Sequence, residues 1–195
     1  MRSYKIIGLT GQSGSGKSTV ALVMKKYGCE IIDADKLARK AVEKGSTCLL
    51  QLQSVFGNDI VDNDGDLIRS ELAKRAFSSP EKTQLLNSIT HPWIIAQTLR
   101  EIKKFADMGK RNIVFDAPLL FESNMDAVCD EIIAVVAPES VRLSRILKRD
   151  GISENEARLR IKSQKDQDYY TKNADHIIDD TDSIAVIDSK VREIL

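Results

Sequence analysis

The sequence predicts an α/β fold in which a five-stranded parallel sheet lies between helical layers and a helical insertion interrupts the alternation. Three observations predict it. Short runs rich in Ile and Val alternate with longer helical stretches, which implies parallel strands joined by right-handed crossovers. The runs are nearly continuous in apolar residues, as strands covered on both faces are. Residues 36–108 then hold several helices and no good strand, too much for a single crossover, so this stretch reads as an insertion where a second substrate could sit.

The elements follow in order. Lys5–Thr10 is the first strand, and it runs into a glycine-rich loop. Residues 18–26 form a helix that stops before Gly28, and Glu30–Asp33 is the second strand. Inside the insertion, helices over 36–43 and 48–56 end near Gly45 and Gly57. A helix over 92–108 opens on Pro92 and stops at Gly109, the usual asymmetry of helix ends. Asn112–Asp116 and Glu131–Val136 are the third and fourth strands, and His176–Asp179 is the candidate fifth. Ser153 and Glu156 make a capping box for a helix reaching about residue 167, and residues 183–194 close the chain as a helix. The resulting divisions are a core over 1–35, 110–148 and 174–195, an insertion over 36–109, and a small helical lid over 149–173.

Composition narrows the function classes. The chain has 195 residues, with Lys plus Arg and Asp plus Glu at 29 each, so no global field favours nucleic acid or an anionic membrane. An anionic ligand must be held by local basic clusters. Cys29, Cys48 and Cys129 are odd in number and lack a CxxC pair, which argues against a disulfide framework or a zinc site and fits a reducing compartment. The apolar start is too short for a signal peptide, and no stretch approaches the roughly 20 apolar residues that span a bilayer. A soluble cytoplasmic protein is expected, a monomer or a weak homo-oligomer.

The chemistry is concentrated after the first strand. Gly11-Gln12-Ser13-Gly14-Ser15-Gly16-Lys17-Ser18 fits G-x-x-x-x-G-K-[ST] in full, with a strand leading in and a helix leading out. Glycines let backbone N–H groups turn inward around phosphates, and the helix N-terminus adds partial positive charge. Lys17 would reach the β- and γ-phosphates of ATP, and the Ser18 hydroxyl would coordinate Mg²⁺. The fold expected is therefore the three-layer αβα core of a P-loop NTPase. A plain Gly/Ser turn is the bland alternative.

Other residues take roles around this loop. Asp116, ending the third strand, would support Mg²⁺ directly or through a water, or else cap the turn before Pro118. Asp33 and Asp35, two apart in an extended chain, would share a face at the ligand end of the sheet, where one could deprotonate an attacking hydroxyl and the other cap the next helix. Arg145 and Arg149 lie four apart on one helix face, with Arg158 and Arg160 following; Asp150-Gly151 supplies a hinge. Such a segment either closes over ATP or is a solvated basic face. Asp62, Asp64 and Gly65 imitate a calcium loop, but Ile60 stands at its first ligand position, so a β-turn is the reading. His91 before Pro92 marks a helix entrance, with substrate contact open to it.

The class can be narrowed. A GTP-binding switch needs N/T-K-x-D, and Thr171-Lys172-Asn173 is followed by Ala174; the transporter-type L-S-G-G-Q stretch is absent. What remains resembles the dephospho-CoA kinase family. The residues that carry the likeness are the P-loop with Thr10 and Thr19, Ile32-Asp33-Ala34-Asp35 with Ala38-Arg39, Phe56-Gly57, Asp64-Gly65 with Arg69 and Leu72, His91-Pro92, Pro118-Leu119-Leu120-Phe121-Glu122, Arg149-Asp150-Gly151, Arg160 with Gln164, and Ala174-Asp175. The resemblance implies transfer of phosphate from ATP to the ribose 3′-hydroxyl of dephospho-CoA, the last step of coenzyme A synthesis. It implies Asp35 as base, Lys17 and Mg²⁺ on the γ-phosphate, Arg149 and Arg160 in the lid, and the insertion, with Arg69 and His91, as receiver of the pantetheine-bearing acceptor. Asp33 and Leu119 join the implied substrate contacts. The sequence departs from the family pattern at Gln12-Ser13, where Gly-Ile is frequent, at Arg142, where Gln is frequent, and at Asp180, often Asn near the adenine. A uridine-type nucleoside kinase is the enzymatic rival, and it would lack the His-Pro and Pro-Leu-Leu-Phe-Glu stretches. A regulatory nucleotide-binding module without transfer activity is the rival from another class.

Overall fold

The computed structural model describes residues 3–195. Five strands, β1 (Lys5–Thr10), β2 (Glu30–Asp33), β3 (Asn112–Asp116), β4 (Glu131–Val136) and β5 (His176–Asp179), form one parallel sheet in the order β2-β3-β1-β4-β5. All five coincide with the apolar runs. β1 is the central strand, with Leu9 beside Asp116 of β3 and Thr10 beside Ala134 of β4. Ile6, Ile7, Leu9 and Thr10 are all buried, so the strand is covered on both faces, which is why it reads as a continuous apolar run. Each buried apolar side chain here stabilises the fold by about 1.5–3 kcal/mol.

Nine helices occur among the described residues: α1 (Lys17–Lys26), α2 (Ala34–Ala41), α3 (Thr47–Phe56), α4 (Arg69–Ala76), α5 (Pro80–Asp107), α6 (Glu139–Asp150), α7 (Glu154–Lys162), α8 (Gln167–Lys172) and α9 (Ile184–Ile194). Val20, Val23 and Met24 of α1 and Ile187 and Val191 of α9 meet one face of the sheet in the main core. α6 and α7 lock together through Ile146, Ala157 and Ile161. The Ser153–Glu156 capping box is present at the start of α7.

Two helical expectations need correction. Pro92 does not open a helix; it lies inside the 28-residue α5, which starts at Pro80. Leu86 and Ile89 before it and Trp93 and Ile94 after it all pack on one apolar cluster, and that burial outweighs the roughly 3 kcal/mol that an interior proline costs. The helix after Ser153 ends at Lys162 rather than near 167, because Asp166 starts a separate helix by accepting a hydrogen bond from the Tyr169 amide at 2.8 Å.

The chain forms two compact units. One comprises residues up to Ile32 together with Ile102–Leu195 and holds the sheet apart from Asp33, the last residue of β2. The other is Asp33–Glu101, built around Leu52, Phe56, Ile60 and Leu72. Within it, Asp62 is a turn residue as expected: its Oδ1 accepts from the amides of Asp64 and Asp66 at 3.0 and 2.9 Å, between Val61 and Leu67, which bridge antiparallel. No helix of the described residues is long and apolar enough to cross a membrane. The three cysteines are free thiols.

Candidate active site

Strand pairing assembles the site in the sheet-bearing unit. The Ala117 amide donates to the Leu9 carbonyl at 3.0 Å, and the Asp180 amide donates to that of Val136 at the same distance. The carboxyl ends of β1, β3, β4 and β5 therefore finish together, bringing Gly11, Asp116 and Asp180 to one edge. This is the edge where parallel α/β sheets bind ligands.

The loop from Gly11 to Gly16 turns through three left-handed glycines, and Gly16 (φ 96°) is the N-cap of α1. A Cβ on Gly16 would lie 2.0 Å from Asp180 Cγ, so only glycine lets this carboxylate come so close. Gly11 is equally constrained, since a Cβ there would lie 2.2 Å from the Val135 carbonyl oxygen. Lys17 Nζ donates to the Gly11 carbonyl at 3.3 Å, curling the lysine back over the loop. Ser15 is buried, whereas Ser18 is exposed and Thr19 half-buried at the head of α1.

Two later segments grip this loop. The Ser13 amide donates to Gln164 Oε1 at 2.9 Å, and Gln12 Nε2 donates to the Lys165 carbonyl at 2.8 Å. From α6, Arg145 donates to the Gly14 carbonyl at 3.1 Å and pairs with Asp180 at 2.6 Å. Arg149 reaches Ser13 Oγ at 3.4 Å and pairs with Asp150 at 2.7 Å, and Arg160 of α7 pairs with the other oxygen of the same carboxylate. Hydrogen bonding from Arg149 and the charge of both arginines hold the Asp150 carboxyl below the usual aspartate range. Arg145, Arg149 and Arg160 thus converge on or beside the phosphate loop, while Arg158 turns to Glu154 on its own helix. Asp150, which the sequence places in a hinge, also bridges two arginines, and an acid flanked by Arg149 and followed by Arg160 is the signal for that role. Leu119 is 55% exposed in the turn after β3.

The remaining predicted residues belong to the unit Asp33–Glu101. Asp33 is the N-cap of α2, its Oδ1 accepting from the Lys36 amide at 2.8 Å. Because α2 begins at Ala34, Asp35 is helical rather than extended, and the two carboxylates do not share a face. The capping role falls to Asp33, leaving Asp35 clear of it. Arg69, the first residue of α4, joins Leu72, Phe77, Leu86 and Ile94 around a largely apolar cavity of about 320 Å³. His91 lies within α5, and burial pushes its imidazole below the ordinary value, toward the neutral form.

Among the described residues no cluster of three or more His, Cys, Asp or Glu could hold a metal on its own. Ser18 and Asp116 offer one hydroxyl and one carboxylate, hard oxygen donors few enough for Mg²⁺, which takes most of its remaining ligands from water and substrate phosphates.

A family model for dephospho-CoA kinase matches residues 5–185. The chain belongs to the dephospho-CoA kinase family. By that membership it is an enzyme and a kinase. It is 45% identical over 190 residues to the dephospho-CoA kinase of Corynebacterium diphtheriae, spanning 97% of this chain and 95% of that one. It is 41% identical over 180 residues to that of Listeria innocua, spanning 92% and 90%. Among solved structures, a Thermus thermophilus protein superposes with a TM-score of 0.85 at 30% identity, covering 98% of this chain and 95% of the other. The dephospho-CoA kinase of Campylobacter jejuni gives 0.70 at 28%, covering 97% and 94%. Shikimate kinase from Acinetobacter baumannii, at 0.54 and 16% identity over 99% and 92%, shares the fold alone.

Proposed function

We propose that the chain transfers the γ-phosphoryl group of ATP to the ribose 3′-hydroxyl of dephospho-CoA, giving coenzyme A and ADP. The observation that carries this reading is the family match over residues 5–185 on a chain whose phosphate loop is intact and clasped by arginines. Loop amides and Lys17 bind and orient the triphosphate, and Arg145, Arg149 and Arg160 offset charge on the transferring oxygens. Mg²⁺, held through Ser18 and Asp116, would neutralise charge on the phosphate chain. Asp35 takes the proton of the acceptor hydroxyl as its oxygen bonds to phosphorus, while the bond from that phosphorus to the β-phosphate oxygen breaks and ADP leaves. Support for Asp35 over Asp33 comes from the capping bond, which occupies Asp33.

Arg69 and the apolar cavity beside it suit an amphipathic acceptor, a diphosphate joined to a pantetheine arm, better than a bare nucleoside. The test is ATP consumption with dephospho-CoA, uridine, shikimate or no acceptor. Turnover is expected with dephospho-CoA alone. Equal rates with and without it would discard the assignment and favour a regulatory nucleotide-binding module, and a preference for uridine would favour the nucleoside kinase.

A further inference from the structure

Arg142 has no part in the chemistry above, and its setting is costly. It lies in the first turn of α6 with 5% of its surface exposed. Its Nε and Nη1 are fully enclosed and reach no hydrogen-bond acceptor in the protein. No carboxylate of the described residues comes within ion-pair distance. Glu139, one turn back, is 62% exposed and sits 4.0 Å from Arg158 instead. Tyr170, the buried polar neighbour, keeps its proton because burial pushes its phenol up to about 12, so it brings no negative charge. A guanidinium stays protonated even when buried. Enclosing one with only the exposed Glu139, beyond ion-pair reach, to offset its charge carries a large desolvation penalty that a neutral side chain avoids, and burial accordingly pulls the guanidinium below its ordinary value.

The place where this penalty is accepted suggests its use. The Arg142 backbone packs on the phosphate loop: a Cβ on Gly14 would lie 2.8 Å from its carbonyl oxygen and 3.0 Å from its Cα. Arg145 and Arg149 follow on the same helix face, but each already has a carboxylate, Asp180 and Asp150. Arg142 is therefore the member of this row whose guanidinium has no bonded carboxylate, on a residue whose backbone lies against the loop.

We propose that Arg142 is a specificity-determining residue for the nucleotide, a buried charge whose counter-ion is the bound polyphosphate. This rests on the nucleotide reading of the loop and is independent of which acceptor is phosphorylated. Attraction through the protein grows with ligand charge, by roughly tenfold in affinity per full charge at a separation of about 10 Å and an effective dielectric near 20. Adenosine, without phosphates, gains nothing from it.

The experiment is calorimetric titration of wild type, Arg142→Gln and Arg142→Lys with ATP, ADP and adenosine, beside thermal melts without ligand. Arg142→Gln is expected to weaken ATP about tenfold or more, ADP by less, and adenosine not at all, while melting at or above wild type. Arg142→Lys, keeping the charge, is expected to hold ATP affinity within about threefold. Unchanged ATP affinity in Arg142→Gln, equal losses for ATP and adenosine, or a clear drop in its melting temperature would overturn the proposal and make Arg142 a packing residue. A wild-type protein that bound no ATP would instead remove the nucleotide reading itself.

Discussion

Replacing Gly16 with alanine tests whether the phosphate loop and the Asp180 carboxylate are built to share one space. The new Cβ would meet Asp180 at Cγ, at 2.0 Å, and at Cβ, at 2.6 Å, so the aspartate must move from its root. That motion separates it from Arg145, a 2.6 Å pair whose aspartate side chain is 3% exposed and whose arginine is 38% exposed. Breaking a buried pair costs about 3–5 kcal/mol, and the lower end applies because water can still reach the arginine. A non-glycine residue held in the left-handed region adds about 1–2 kcal/mol. The loss of about 4–5 kcal/mol rivals the whole stability of many domains. For a chain of this size it corresponds to a fall in melting temperature of about 10–15 °C. Circular-dichroism melts of ligand-free protein read this directly. The double variant Gly16→Ala/Asp180→Gly, which clears the aspartate away, should recover the steric part and show favourable coupling of about 2–3 kcal/mol. A Gly16→Ala melt within about 3 °C of wild type, or losses that simply add in the double variant, would refute the close-packing reasoning.

Two further outcomes are expected. Asp35→Asn should lower kcat by about 100-fold or more while leaving ATP affinity within about twofold, measured by steady-state rates and nucleotide titration; retained turnover would remove Asp35 from the base role. Asp59 accepts two hydrogen bonds from Arg75, at 2.6 and 2.5 Å, which hold its carboxyl at about 2 against an ordinary 3.8. Its folded value lies below its unfolded one, so the stability it contributes is complete above about pH 4–5 and disappears as pH falls toward 2. The gap between wild type and Asp59→Asn in urea melts should be flat near neutrality and close near pH 2; a gap persisting there would mean that the side chain acts through packing.

Much of this molecule could be read from residue order because its signals are local. Each strand is a short Ile- or Val-rich run, the inner ones β1, β3 and β4 largely buried, and the phosphate loop needs its residues at fixed spacing. The failures came where local and distant forces compete. Pro92 carries a strong local stop signal, yet Leu86, Ile89, Trp93 and Ile94 bury against the same cluster and carry the helix through it. α4 was not delimited because Ile68, at its start, supplies no side-chain cap. Spacing puts Asp33 and Asp35 on one face of an extended chain, whereas a capping bond from the Lys36 amide turns the chain helical at Ala34, two residues before the expected start. Around the site, the lysine and glycines of the loop were legible, and the arginines were legible as a group. Their partners were not: nothing in residue spacing says that Asp180 lies under Gly16 or that Arg142 is enclosed, since both depend on segments far apart in the chain.

The position of β1 governs the order in which the protein can assemble. It comes first in the chain but sits mid-sheet, and Lys5 must await Asn112 while Ile7 must await Glu131. Residues 33–101, by contrast, draw their apolar cluster from one continuous stretch. During translation that stretch can close while Ile6, Ile7 and Leu9 still lack their flanking strands, though Ile7 and Leu9 are within reach of α1, so nascent β1 is where chaperones have most to shield.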